Sequence, residues 1–141
     1  MKRKASAVWK GGIKSGSGTL TSDSGVLSGT QYSFSTRFED GNGTNPEELI
    51  AAAHAGCFAM ALSGFLERAG HPAEQLDVTA TVTVEKVEGG FGITKSHLDL
   101  NARVPGISQE AFDTATKTAK EGCPVSKVLN AEITLDATLA G

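Results

Sequence analysis

Two thiols 66 positions apart are the residues in this chain best suited to covalent chemistry. Cys57 lies in Ala55-Gly56-Cys57-Phe58, and Cys123 in Gly122-Cys123-Pro124-Val125-Ser126. A thiol is a nucleophile only as its thiolate, so the question for each is what removes its proton. Cys57 is expected inside a long helix among apolar neighbours. Burial there raises the pKa and leaves the thiol inert unless a cation reaches it. Cys123 is expected at a helix N-cap, where unpaired amides and the helix dipole favour the thiolate. Local reasoning alone therefore selects Cys123 as the attacking sulfur. The plain alternative is that both are small buried hydrophobes with no reactivity.

Other chemistries have weaker support. His54 lies three residues before Cys57 and could share its helix face. His71 and His97 are isolated in the sequence, and all three histidines read as structural or surface residues. A metal site needs more ligands at short spacing, and there is no Cys-x-x-Cys. No phosphate loop or dinucleotide fingerprint occurs. The net charge of −3 gives no reason to expect nucleic acid or an anionic membrane as partner. No metal or organic cofactor is expected. The basic start Met1-Lys2-Arg3-Lys4 is not followed by the apolar run of a signal peptide. Leu49 to Leu66 is uncharged but rich in Ala and Gly and contains His54, so it reads as a buried helix rather than a membrane span. A cytoplasmic location follows, and in a reducing compartment two cysteines are not a structural staple.

The elements that must position these residues fit one domain, 1–141, of ordinary globular composition with 39% hydrophobic and 21% charged residues. Residues 6–38 read as strands. Tyr32-Ser33-Phe34-Ser35-Thr36-Arg37-Phe38 alternates, placing Arg37 on the polar face, by default in solvent. After the Gly41-Asn42-Gly43 loop, Asn45 is an N-cap, Pro46 suits the first helical position, and Glu48 completes a capping box. Glu47 is left without a capping duty. This helix is expected to run to about Ala69 and end at Gly70. It is apolar or small all round, which implies enclosure on several sides. Val78, Ala80, Val82 and Val84 mark a strand, Glu88-Gly89-Gly90 a turn, and a return strand carries a bulge near Thr94–Ser96. Ser108 caps a second helix, Cys123-Pro124 opens a short third, and Ile133 to Leu139 form the last strand. The order βββ-α-ββ-αα-β is α+β, with antiparallel pairing expected in both strand groups. Trp9 and Phe58 are core residues by default and candidate walls of an apolar pocket.

Gly43-Thr44-Asn45-Pro46-Glu47-Glu48-Leu49 followed by Ala51-Ala52-Ala53-His54-Ala55-Gly56-Cys57-Phe58 resembles the first signature of the OsmC/Ohr peroxidases. Gly122-Cys123-Pro124-Val125-Ser126 resembles the second. Trp9, Thr36-Arg37-Phe38-Glu39 and Ala131-Glu132-Ile133-Thr134-Leu135-Asp136 agree with the OsmC branch, so the resemblance covers essentially the whole chain. It implies an OsmC-like fold and thiol-dependent reduction of organic hydroperoxides, more weakly of hydrogen peroxide, in oxidative and osmotic stress defence. It implies that Cys57 is the peroxidatic thiolate and Cys123 the resolving thiol. Arg37 would hold Cys57 as thiolate and Glu47 would hold Arg37 in a bidentate pair. The chemistry agrees on the need, because arginine keeps its charge in any surroundings. The implied reductant is a dithiol, carried on a lipoylated protein. Two rivals stand beside this reading. One is a dimeric, stress-related ligand-binding module with unreactive thiols. The other is a zinc hydrolase using His54, Cys57 and Cys123.

One spacing argument concerns assembly. Ten helical residues from Glu47 to Cys57 span about 15 Å along the axis and leave the side chains about 80° apart around it. An arginine held by Glu47 could hardly touch Cys57 of the same unbroken helix. The expectation is an intertwined homodimer, two antiparallel sheets around a pair of central helices. The thiols come from one chain, and Arg37 and Glu47 from the other.

Overall fold

The N-terminal third turns its glycine-rich alternation into an antiparallel meander of β1 (Ala5–Lys10), β2 (Ser17–Ser22) and β3 (Thr30–Tyr32), in the order β1-β2-β3. The structure is a computed structural model that describes residues 1–39 and 41–141, forming two compact units, Met1–Leu49 and Ile50–Gly141. In the first unit, Gly18 of β2 lies between Trp9 and Tyr32, whose ring centroids are 5.6 Å apart. A Cβ there would come within 2.5 Å of the tyrosine ring and 2.8 Å of the tryptophan ring, so only glycine fits.

The strand expected through Phe38 does not form. The chain leaves the sheet after Tyr32, and Phe34–Phe38 is a short helix, α1. Ser33 and Thr36 explain the difference. The Ser33 hydroxyl accepts from the Thr36 amide, and the Thr36 hydroxyl accepts from the Ser33 amide at 2.7 Å. This reciprocal capping box offers the backbone a local alternative to the sheet ladder, and the box prevails over the alternating pattern. Phe34 and Phe38, four residues apart, then pack with centroids 5.1 Å apart. Arg37 sits in the last turn of α1.

Helix α2 (Pro46–Arg68) begins where Gly43 permits the chain to pass close to β3. Gly43 has φ +120, and a Cβ on it would lie 2.3 Å from the Gln31 carbonyl oxygen. The Thr44 amide donates to that same carbonyl at 2.9 Å. Asn45 Oδ1 caps the helix by accepting from the Glu48 amide at 2.7 Å. The expected capping box is only half made, since the Glu48 carboxylate accepts instead from the Thr44 hydroxyl. Glu47 is free of capping, as expected. At the other end His71 N–H reaches Leu66 O and Gly70 N–H reaches Glu67 O, with Gly70 at φ +86, a Schellman closure. α2 is continuous between these ends.

In the second unit β4 (Gln75–Val87) pairs antiparallel with β5 (Gly90–Arg103), and β6 (Glu132–Leu139) pairs parallel with β5. The expected antiparallel pairing of β6 is corrected. Helices α3 (Gln109–Gly122) and α4 (Pro124–Val128) form a crossover that returns the chain to the starting end of β5, so β6 must run with it. Thr83 pairs with Lys95 and Val84 with Ile93, leaving Thr94 as the extra residue of a bulge, at the place the change of parity requires. The bulge lets Ser96, Leu98, Leu100 and Ala102 share the inner face. The core there joins Phe58, Leu62 and Leu66 of α2 to Phe112, Ala115 and Ala119 of α3. The observed order is βββ-αα-ββ-αα-β, an α+β fold.

The enclosure expected for α2 is one-sided within the chain. His54, Phe58, Leu62 and Leu66 are buried, while Ala52, Ala53 and Gly56 are exposed and Met60 is 79% exposed. By length and composition alone α2 could cross a membrane, and 22% of its most apolar 18-residue window is buried.

Candidate active site

The second unit brings the two thiols together. Cys57 lies midway along α2, and Cys123 is at once the C-cap of α3 and the N-cap of α4. Their Sγ atoms are 3.0 Å apart and both are free thiols. A disulfide forms at about 2 Å, so closure needs little movement. Cys57 is half-buried and Cys123 is fully buried.

The two sulfurs are not equivalent. Burial raises the Cys57 pKa, and its hydrogen bond with Cys123 raises it further, against one lowering contact from the Val125 backbone. Burial also pushes Cys123 up. Hydrogen bonds from Cys57, from the Ser126 amide and hydroxyl, and from the Val125 backbone outweigh it, so Cys123 lies below the ordinary thiol value. The sulfur–sulfur contact can be drawn with Cys123 as donor on geometry alone. We place the shared proton on Cys57, because the opposite pKa directions of the two thiols favour the anion on Cys123. Both directions agree with the local expectations for a mid-helix thiol and a helix N-cap.

A second group at this site was read from sequence as merely structural. His54 is fully buried, with Nδ1 2.6 Å from Ser96 Oγ and Nε2 2.8 Å from Ser126 Oγ. Burial lowers its pKa. Ser126, which holds His54, stands in the first turn of the helix that Cys123 caps. The signal was present in the spacing: His54 stands three residues before Cys57, and Ser126 three after Cys123. With both ring nitrogens taken by serine hydroxyls, His54 offers no lone pair to a zinc site with the thiols. His97 is not isolated either. Its Nε2 lies 3.3 Å from Asp99 and 3.2 Å from Asp136 on the outward face of β5 and β6.

The first unit joins Arg37 of α1 to Glu47 in the first turn of α2. Arg37 Nε donates to Glu47 Oε1 at 2.9 Å, and Nη2 lies 2.8 Å from the same oxygen. The pair is therefore not the two-oxygen fork expected from sequence. Glu47 Oε2 is buried and has no hydrogen-bond partner, the one such side-chain atom among the described residues. The Arg37 side chain is 40% exposed and lines a cavity of about 280 Å³ with Trp9, Ile13, Tyr32, Phe34 and Phe38. Trp9 is a wall of an apolar pocket, whereas Phe58 belongs to the core. The four residues singled out from sequence thus form two pairs, Cys57 with Cys123 and Arg37 with Glu47, one in each unit.

The sequence profile of the OsmC-like protein family matches residues 39–138. Peroxiredoxin OsmC of Escherichia coli strain K12 is 54% identical over 137 residues, covering 97% of this chain and 96% of that protein. The organic hydroperoxide resistance protein of Xanthomonas axonopodis pv. citri is 34% identical over 102 residues, 71% of this chain and 69% of that one. Among solved structures, the organic hydroperoxide resistance protein OhrB of Bacillus subtilis superposes with a TM-score of 0.68 at 27% identity, covering 97% of this chain and 98% of that chain. An OsmC-like protein of Vibrio cholerae superposes with a TM-score of 0.76 at 17% identity, over 97% and 99% of the two chains, a likeness of fold.

Proposed function

The chain belongs to the OsmC-like protein family, and from that premise we propose that it is a cysteine-based peroxidase that reduces organic hydroperoxides in stress defence. The observation that carries this reading is the pair of free thiols with sulfurs 3.0 Å apart. In the proposed cycle the Cys57 thiolate attacks the terminal peroxide oxygen, the O–O bond breaks, and the alkoxide leaves as alcohol after taking a proton. Cys57 is then a sulfenic acid. Cys123 attacks its sulfur, the S–O bond breaks, and water and a Cys57–Cys123 disulfide result. An external dithiol restores both thiols by exchange, and a lipoylated protein carries such a dithiol.

Arg37 and Glu47 complete the proposed site. Within one chain the contacts favour the thiolate on Cys123, so Cys57 needs a cation to hold its negative charge. Arg37, fixed on Glu47 Oε1, is the proposed cation. A hydroperoxide could accept from the guanidinium and donate its O–H to the unpartnered Glu47 Oε2. The apolar walls around Arg37 suit an alkyl or aryl substituent better than hydrogen peroxide. We further propose that the residues act across an intertwined homodimer. α2 has no break between Glu47 and Cys57, and its face Ala52, Ala53, Gly56 and Met60 is uncovered in the single chain. The 141 residues act as one domain in this reading, in the cytoplasm, where a dithiol can recycle the disulfide.

The test is a count of free thiols before and after one equivalent of an alkyl hydroperoxide, with the cross-link mapped by peptide mass. Loss of both thiols into a Cys57–Cys123 disulfide is expected. Two thiols that persist in the presence of peroxide would instead indicate a ligand-binding module with inert cysteines.

A further inference from the structure

His54 is a fully buried titratable group that the peroxidase cycle leaves without a task. We propose that it is the proton acceptor for closure of the Cys57–Cys123 disulfide, reached through the Ser126 hydroxyl. The proposal rests on the peroxidase reading and adds a step to it.

The need arises at the second half of the cycle. Cys123 is fully buried, so its proton has no direct exit to water. While Cys57 is a thiol, its hydrogen bond is the strongest of the contacts that help hold Cys123 as an anion. Once Cys57 carries oxygen, that thiol donor is gone. Burial still acts against the Cys123 anion, and what remains on the other side is the start of α4, with Ser126 the only side chain among those contacts. A serine hydroxyl can accept one proton while passing on another. Ser126 Oγ lies 2.8 Å from His54 Nε2, and Ser126 stands in the first turn of α4, the helix that Cys123 caps, so a turn of its hydroxyl toward Cys123 would complete the line Cys123 Sγ, Ser126 Oγ, His54 Nε2.

The other ring nitrogen sets the direction. Nδ1 lies 2.6 Å from Ser96 Oγ on β5. With Nδ1–H donating to Ser96, Nε2 keeps its lone pair toward Ser126, the orienting duty that a carboxylate performs in a serine-protease triad. Ser96 faces inward because the Thr94 bulge shifts the strand's parity. The groups that could disturb this titration are placed away from it. Lys95 and His97 flank Ser96 on the opposite face of β5, Lys127 beside Ser126 is exposed, and no charge contributes to the lowered His54 pKa. The hydrogen-bond partners of His54 among the described residues are the hydroxyls of Ser96 and Ser126. Burial keeps the imidazole neutral at neutral pH, ready to accept.

The step balances. The Cys123 proton moves to Ser126 Oγ as the Ser126 proton moves to His54 Nε2. The Cys123 electron pair forms the S–S bond, the Cys57 S–O bond breaks, and hydroxide leaves. The imidazolium then returns its proton through Ser126, giving water and neutral His54.

The test is a stopped reaction of the reduced protein with one equivalent of cumene hydroperoxide from acidic to mildly basic pH. Cys57 oxidation and disulfide closure are scored separately by thiol labelling and mass. In the wild type, closure should be independent of pH above the His54 pKa and should fall below it. His54→Gln keeps an amide that can hydrogen-bond Ser126 but takes no proton. Ser126→Ala cuts the same line at another atom and keeps His54. Both should close about a hundredfold more slowly at neutral pH, with a rate that now rises about tenfold per pH unit. Closure at the wild-type rate in either folded variant overturns the relay, and so does slower closure that keeps the wild-type pH profile. A wild type whose Cys57 is never oxidised overturns the peroxidase reading and the relay with it.

Discussion

The thiol cluster in Ile50–Gly141 and the arginine–glutamate pair in Met1–Leu49 are built on opposite plans. Around the thiols the polar groups are matched: His54 has a hydroxyl on each ring nitrogen, and Cys123 is hydrogen-bonded to Cys57. In the other unit two arginine nitrogens converge on one carboxylate oxygen, and the second oxygen, though buried, has no partner among the described residues. A closed network fixes the geometry and the distribution of protons. A buried acceptor left unsatisfied is costly, and a protic ligand can relieve that cost. The difference teaches that the thiol cluster has its polar groups paired within the unit, whereas the arginine pair keeps one buried acceptor open among the described residues.

The sharpest way to break this comparison is to exchange the roles of the two sulfurs. Cys57→Ser should abolish turnover. Cys123→Ser should still consume roughly one equivalent of hydroperoxide and stall at sulfenic or overoxidised Cys57. If Cys123→Ser is instead the variant that cannot react, the lower pKa of Cys123 decides the nucleophile and the assignment of roles is reversed. Peroxide consumption and the mass of Cys57 peptides distinguish the two.

A second experiment asks whether the two plans meet across a dimer. Inactive Cys57→Ser and Arg37→Ala chains, unfolded and refolded as an equal mixture, should recover about a quarter of wild-type activity if pairing is random and each heterodimer holds one intact site. Heterodimers confirmed by mass without any recovery would mean that each chain builds its own site.

Arg37 alone gives a graded effect. Arg37→Ala should raise the Cys57 pKa, so less thiolate is present at neutral pH. The loss should be about tenfold for each pKa unit of the rise and should diminish as pH increases. Arg37→Lys should recover only part, because an ammonium does not reproduce the planar guanidinium. A pH–rate profile unchanged in Arg37→Ala would remove the arginine from the site. The smallest effect is expected at Ser33→Ala, which removes the α1 cap. It should cost about 1 kcal/mol in chemical denaturation while leaving disulfide closure at the wild-type rate, since Ser33 belongs to the other unit.

Much of this protein was written locally. Asn45-Pro46, Gly70, Ser108 and Cys123-Pro124 marked helix ends, because caps depend on a few adjacent residues. The parity change on β5 marked its bulge, and mid-helix burial gave the direction for Cys57, whereas Cys123 is lowered first by its hydrogen bond with the distant Cys57. Other features lay beyond local pattern. Tyr32 to Phe38 alternates like a strand, and only the Ser33–Thr36 capping box turns its second half into α1. The parallel pairing of β6 depends on where the α3–α4 crossover returns the chain, which no periodicity records. The 3.0 Å contact between sulfurs 66 positions apart, and a histidine held between serines 42 and 72 positions away, are decided by packing. The sequence by itself singled out the two thiols, Arg37 and Glu47, and most of the helix ends around them. Only the tertiary structure decided which of them meet, because long-range contacts follow from the assembly of the core and not from neighbours along the chain.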